Sequence, residues 1–129
     1  MRIDANRVLE GRRAERERLI GRARELAARL DPVLAARAVV VFGSVARGAF
    51  NLWSDVDVLV VADNVPPGWS ERIAAIGPPP PRVAPVVWTP EELRSRLEHN
   101  NPIAREAVDR GVWLMGGPDE VAATGDTPL

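Results

Sequence analysis

Ala38-Val39-Val40-Val41-Phe42-Gly43-Ser44-Val45-Ala46-Arg47-Gly48, followed by Ser54-Asp55-Val56-Asp57-Val58-Leu59-Val60-Val61, is the stretch that decides the fold. Each half contains a short run of β-branched and other apolar residues with no polar alternation, which is how a strand buried on both faces reads. The first run, 38–42, stops at a glycine-serine pair, which predicts a tight turn with a short helical turn starting at Ser44. The second, 57–61, is entered through the polar connection 51–54 and left through Asp63-Asn64-Val65-Pro66-Pro67-Gly68.

Outward from these strands the pattern alternates. Upstream, Leu19, Ala23, Leu26, Ala27 and Leu30 recur at helical spacing with no proline before Pro32, so residues 4–30 are expected to form a long amphipathic helix. Downstream, 69–76 is long enough for two helical turns, and Pro78-Pro79-Pro80-Pro81 imposes a stiff extended spacer. A third strand is expected over 83–88, with Pro85 placing it at an edge or a bulge. Thr89-Pro90-Glu91-Glu92 has the order of a capping box with proline at the first helical position, opening a helix to about Glu98. Asn101-Pro102 opens another, through Arg110 and closed by Gly111, before a last short strand over 112–115. Residues 116–129 read as a flexible tail. The chain is expected to be one domain over 1–115, of α/β (α+β) class, with a small mixed sheet and helices packed mainly on one face.

Composition removes several chemistries. Of 129 residues none is cysteine, lysine or tyrosine, so disulfides, thiolate ligands, a cysteine nucleophile, a phosphate-loop lysine and a Schiff-base lysine are all excluded. The lack of cysteine favours the cytoplasm, and no apolar stretch approaches the roughly 20 residues that span a bilayer. All 17 basic residues are arginines. Residues 1–30 hold nine of them against five acids, net +4, while residues 31–129 hold eight against thirteen, net −5. Arginines interleaved with glutamates, as over 12–18, predict a solvated helix face laced with i,i+3 and i,i+4 pairs. A basic arm for nucleic acid is the competing reading, and nucleic acid is not the expected partner.

Asp55 and Asp57 carry the chemistry. On a strand they share a face with Cα atoms roughly 6.5–7 Å apart, a spacing that suits a hard divalent cation. Taken alone they could equally be solvated strand-end residues. Gly43 and Ser44 allow close backbone approach to a phosphate, with the serine hydroxyl as a further donor. Arg47 lies one turn on, in reach of either an acid or a phosphate. His99 is expected to cap a helix; Trp53 is expected to pack partly in the core, with base stacking as its alternative, and Trp69, Trp88 and Trp113 to be core.

In order and spacing, Gly43-Ser44, Ala46-Arg47-Gly48 and Ser54-Asp55-Val56-Asp57 resemble the signature of the minimal nucleotidyltransferases of the DNA polymerase beta-like superfamily. The likeness is close over 39–61 and looser over Thr89-Pro90-Glu91-Glu92-Leu93 and from Asn101 to Leu114. It implies transfer of a nucleoside monophosphate from a nucleoside triphosphate, usually ATP, with release of pyrophosphate. It further implies that Gly43 and Ser44, with Arg47 nearby, hold phosphates and that Asp55 and Asp57 carry Mg²⁺. Family enzymes place a third acid on the next strand, and none of Arg82-Val83-Ala84-Pro85-Val86-Val87 is acidic. The two-ion site that the resemblance implies is weakened accordingly, with Asp63, Glu91 and Glu92 the candidate substitutes. The resemblance therefore also admits a catalytically impaired binding module, such as the antitoxin-type partner of a small helical HEPN protein.

Overall fold

The computed structural model describes residues 4–122. Its order is α1 (Ala5–Arg29), a single 3₁₀ turn (Pro32–Leu34), β1 (Ala36–Phe42), α2 (Gly43–Arg47), β2 (Val56–Ala62), α3 (Trp69–Ile76), β3 (Val83–Trp88), α4 (Pro90–Glu98), α5 (Pro102–Arg110), β4 (Val112–Met115) and α6 (Pro118–Ala122). The four strands form one mixed sheet in the order β3-β2-β1-β4. β1 is antiparallel to both its neighbours, and β2 runs parallel to β3 through the α3 crossover. Pro85 thus lies in an edge strand, where its missing N–H breaks no ladder.

The two central strands account for the unbroken apolar runs, because helices cover the sheet on both sides rather than mainly on one. Val39, Val41, Val58 and Val60 face Leu19, Ile20, Ala23 and Leu26 of α1 together with Val45 of α2. The alternate residues Ala38, Val40, Leu59 and Val61 face Leu93 of α4, Ala104 and Ala107 of α5 and Val121 of α6. Of the tail expected over 116–129, Pro118–Ala122 is helical with Val121 buried, and residues 123–129 lie outside the described residues. Trp88 is buried, while Trp69, expected in the core, is 70% exposed because it opens α3 on the solvent side.

Local signals explain the helix ends. Asp4 accepts from the Asn6 and Arg7 amides at the start of α1, and Asn101 does the same for Ile103 and Ala104 in α5. Thr89 and Glu92 complete the expected capping box. Only one exposed i,i+3 pair forms on α1 among the described residues, Arg18 with Glu15. The front half of this face is solvated as expected, but the expected lacing by i,i+3 and i,i+4 pairs is corrected. Arg12, Arg16, Arg22 and Arg29 instead donate to main-chain carbonyls elsewhere in the domain. Arg22 and Arg29 hold Pro81 O and Pro78 O of the proline spacer, at 3.1 and 2.8 Å.

Arg72, with its side chain 11% exposed, ties α3 to its surroundings by donating to Pro66 O, Val87 O and Glu92 Oε1. Burial pushes the Glu92 carboxyl up, but the Arg72 hydrogen bond and the Thr89 amide outweigh it and hold the group below the usual 4.5. A depressed carboxylate stabilises above its unfolded value and loses that contribution as the pH falls through its folded value. Glu92→Gln keeps the capping box and removes the charge. It is expected to cost about 1 kcal/mol at neutral pH for this partly solvent-open pair. In thermal melts the difference from wild type should shrink as the pH drops below 4.5.

Candidate functional site

β1 ends at Phe42, which sits opposite Asp57 in the antiparallel register. The next residue, Gly43, turns the chain with φ +78°, and a Cβ placed there would lie 2.3 Å from Asp57 Oδ2. Strand pairing therefore brings the Asp57 carboxylate onto the backbone of the glycine turn. Gly43 is needed twice over, for its left-handed φ and for that approach. α2 follows as a five-residue helix closed by Gly48 at φ +77°, whose N–H and that of Ala49 return to Ser44 O.

Asp57 is half-buried within β2, in strand alternation with Leu59 and Val61, and Asp55 is exposed just ahead of β2, near enough for its charge to act on Asp57. The Asp57 carboxyl is raised above the usual aspartate value, first by burial and then by the Asp55 charge, with Arg47 opposing both. Two carboxylates held this way are a costly arrangement that a cation relieves. Mg²⁺ is commonly held by one or two carboxylates together with substrate phosphates, so this donor set fits it. Among the described residues, no group of three or more His, Asp or Glu side chains gathers to hold a metal without such phosphates.

The parallel register puts Ala84 beside Asp57, so the position for a third acid on β3 is filled by a methyl group. The candidate substitutes are placed elsewhere. Asp63 pairs with Arg37 at the far end of β2, Glu92 is engaged by Arg72 and Thr89, and Glu91 is exposed on the first turn of α4. His99 is exposed at the end of α4 with Nδ1 2.7 Å from Ser95 O, which agrees with its expected capping role.

Arg47 makes an ion pair with Glu106 of α5, a residue that the sequence did not single out. A cleft of about 440 Å³ opens beside that pair, lined also by Arg105, Asp109 and Arg110. Two further features had no reliable signal in the sequence. Arg82, at φ +67°, donates to Ser54 O and so pins the connection leading into Asp55. Trp53, expected to pack partly in the core, is 88% exposed on that connection, where Asn51 folds back to accept from its amide.

Residues 20–112 match the profile of the nucleotidyltransferase domain. The chain belongs to the nucleotidyltransferase domain family. Gly43, Ser44, Arg47, Asp55 and Asp57 all fall inside the matched segment, whereas residues 5–19, about four turns of α1, precede it. A crystal structure of a candidate nucleotidyltransferase from Sulfolobus solfataricus shares the nucleotidyltransferase fold at 20% identity and a TM-score of 0.58, over 79% of this chain and 84% of that one. No curated protein matches the chain. No helix among the described residues is long and apolar enough to cross a membrane.

Proposed function

We propose that this nucleotidyltransferase binds a nucleoside triphosphate, ATP by family resemblance, together with Mg²⁺, and transfers the nucleoside monophosphate to an acceptor hydroxyl. The observation that carries the reading is the Asp57 carboxylate seated against Gly43, with the Asp55 charge acting on it from two residues ahead. In this reading Gly43 and Ser44 receive the β and γ phosphates, and Arg47 adds positive charge at the edge of the site. Asp55 and Asp57 hold the metal. Bound Mg²⁺ supplies electrophilic stabilisation of the charge that develops on the phosphates. The acceptor oxygen bonds to the α phosphorus and gives up its proton to solvent, the bond to the bridging oxygen breaks, and pyrophosphate leaves with that electron pair. Trp53, exposed two residues before Asp55, is available to stack on the base.

A second reading is favoured by Ala84. The third carboxylate, which would help hold the acceptor side and take its proton, is absent from β3. A domain built this way can retain triphosphate binding and lose turnover, acting as a nucleotide-responsive partner of another protein. The HEPN-type partner rests on the family resemblance alone.

Thermal unfolding with ATP plus Mg²⁺, against ATP plus EDTA, tests the shared part of both readings. At ligand about 100 times its dissociation constant, the midpoint should rise by several degrees, corresponding to roughly 2.7 kcal/mol. No metal-dependent rise would remove the nucleotide assignment. Pyrophosphate release in the presence of candidate acceptors then separates the enzyme from the binding module.

A further inference from the structure

The site depends on α2, and α2 cannot hold itself. A five-residue helix is far below the length that is stable alone, and at its carbonyl end only the capping amides of Gly48 and Ala49 bond back, to Ser44 O and Val45 O. α1 supplies further donors there. Arg16 donates from Nε to Val45 O at 2.9 Å and from a terminal nitrogen to Ala46 O at 2.8 Å. One turn earlier, Arg12 donates to Gly48 O at 3.1 Å and Phe50 O at 2.9 Å, and its guanidinium lies over the Phe50 ring, 4.6 Å from the centroid.

These bonds are not incidental to packing. Residues 5–18 of α1 bury no side chain, and a cleft of about 380 Å³ separates this part of the helix from Phe50 to Leu52. The front half of α1 is joined to the domain chiefly through two guanidinium groups, and both grip the segment that follows Gly43 and Ser44. Both arginines also precede the segment that matches the family profile, residues 20–112.

We propose that Arg16, assisted by Arg12, is a positioning residue for nucleotide binding, one that fixes the glycine-serine turn from behind by holding the carbonyl end of α2. The inference rests on the triphosphate reading given above. A guanidinium at the carbonyl end of a helix also offsets the partial negative charge there. Lysine, with a single ammonium, can reach one carbonyl well but cannot reproduce the forked contact.

The experiment compares wild type, Arg16→Ala, Arg16→Lys and the double variant Arg12→Ala/Arg16→Ala with Arg29→Ala. The last loses an arginine-to-carbonyl bond at the far end of the same helix. Amide hydrogen exchange over 43–48 is read without ligand, and the affinity for ATP with Mg²⁺ is read by calorimetry. Arg16→Ala is expected to speed exchange across α2 and to weaken affinity at least tenfold. Arg16→Lys should recover part of both, and Arg29→Ala should leave both near wild type. Unchanged exchange and affinity in the double variant would overturn the proposal, as would equal weakening by Arg29→Ala, which would signal general destabilisation. If the wild type itself binds no triphosphate, the functional reading fails, and the exchange of α2 alone decides whether the clamp exists. Should Arg16→Ala not fold, Arg16→Lys carries the same comparison.

Discussion

Asp57→Asn is expected to abolish the Mg²⁺-dependent rise in the unfolding midpoint while leaving the ligand-free midpoint as high as that of wild type or higher. Both halves follow from one geometry. Asp57 is half-buried against Gly43 and faces the like charge of Asp55, so its ionised form is the disfavoured one in the unliganded fold. A carboxyl raised in the folded state costs stability once ionised, and that cost disappears as the pH falls toward the usual 3.8. Asparagine keeps the shape and removes the charge. Ligand-free melts of the two proteins should therefore converge in acid, with the variant ahead at neutral pH. With ATP and Mg²⁺ the order reverses, since wild type gains about 2.7 kcal/mol at ligand 100 times its dissociation constant and the variant gains nothing. A variant that still responds to metal would remove Asp57 from the site.

Gly43→Ala should have the second large effect, and Gly48→Ala serves as its internal control. Both glycines have left-handed φ, +78° and +77°, so each alanine carries a backbone cost of about 1–2 kcal/mol. They differ in what the new methyl group meets. At Gly48 nothing lies within 4 Å, whereas at Gly43 it would lie 2.3 Å from Asp57 Oδ2. The obstructing atom is the end of a side chain, so the fold can accommodate the methyl group by moving the carboxylate, and the loss falls on the site. Similar falls in ligand-free midpoint are expected for the two variants. Metal-dependent triphosphate affinity should drop more than tenfold in Gly43→Ala and much less in Gly48→Ala. Equal affinities would show that Asp57 and Gly43 need not be in contact for binding.

The contrast between these glycines shows where sequence reasoning reaches and where it ends. The strands could be read because 38–42 and 57–61 are apolar without alternation, and the helix starts because Thr89 and Asn101 cap through neighbours two or three residues away. The order glycine-serine, arginine-glycine and paired aspartates marked the candidate site for the same reason, as a local pattern. What could not be read are the contacts that join distant segments. An arginine bound to a main-chain carbonyl about thirty positions away, as Arg16 is to Ala46, leaves no periodicity and needs no particular residue type at the other end. Glu106 as the partner of Arg47 depends on where α5 crosses β1, which no spacing encodes. The exposure of Trp53 and Trp69 depends on loop and helix orientation, whereas the amphipathic rule assigns a tryptophan to the core by default.

The strand order has a consequence for how the chain is made. β1 emerges early, yet one of its two partners is β4, joined through pairs such as Val40 with Trp113. Until β4 (Val112–Met115) has left the ribosome, that flank of β1 offers unpaired N–H and C=O groups along one of the most apolar segments of the protein. Unpaired edges of this kind recruit other chains. Loss of the C-terminal strand, by premature termination or by proteolysis before Val112, is therefore expected to turn a folded domain into one that self-associates through β1.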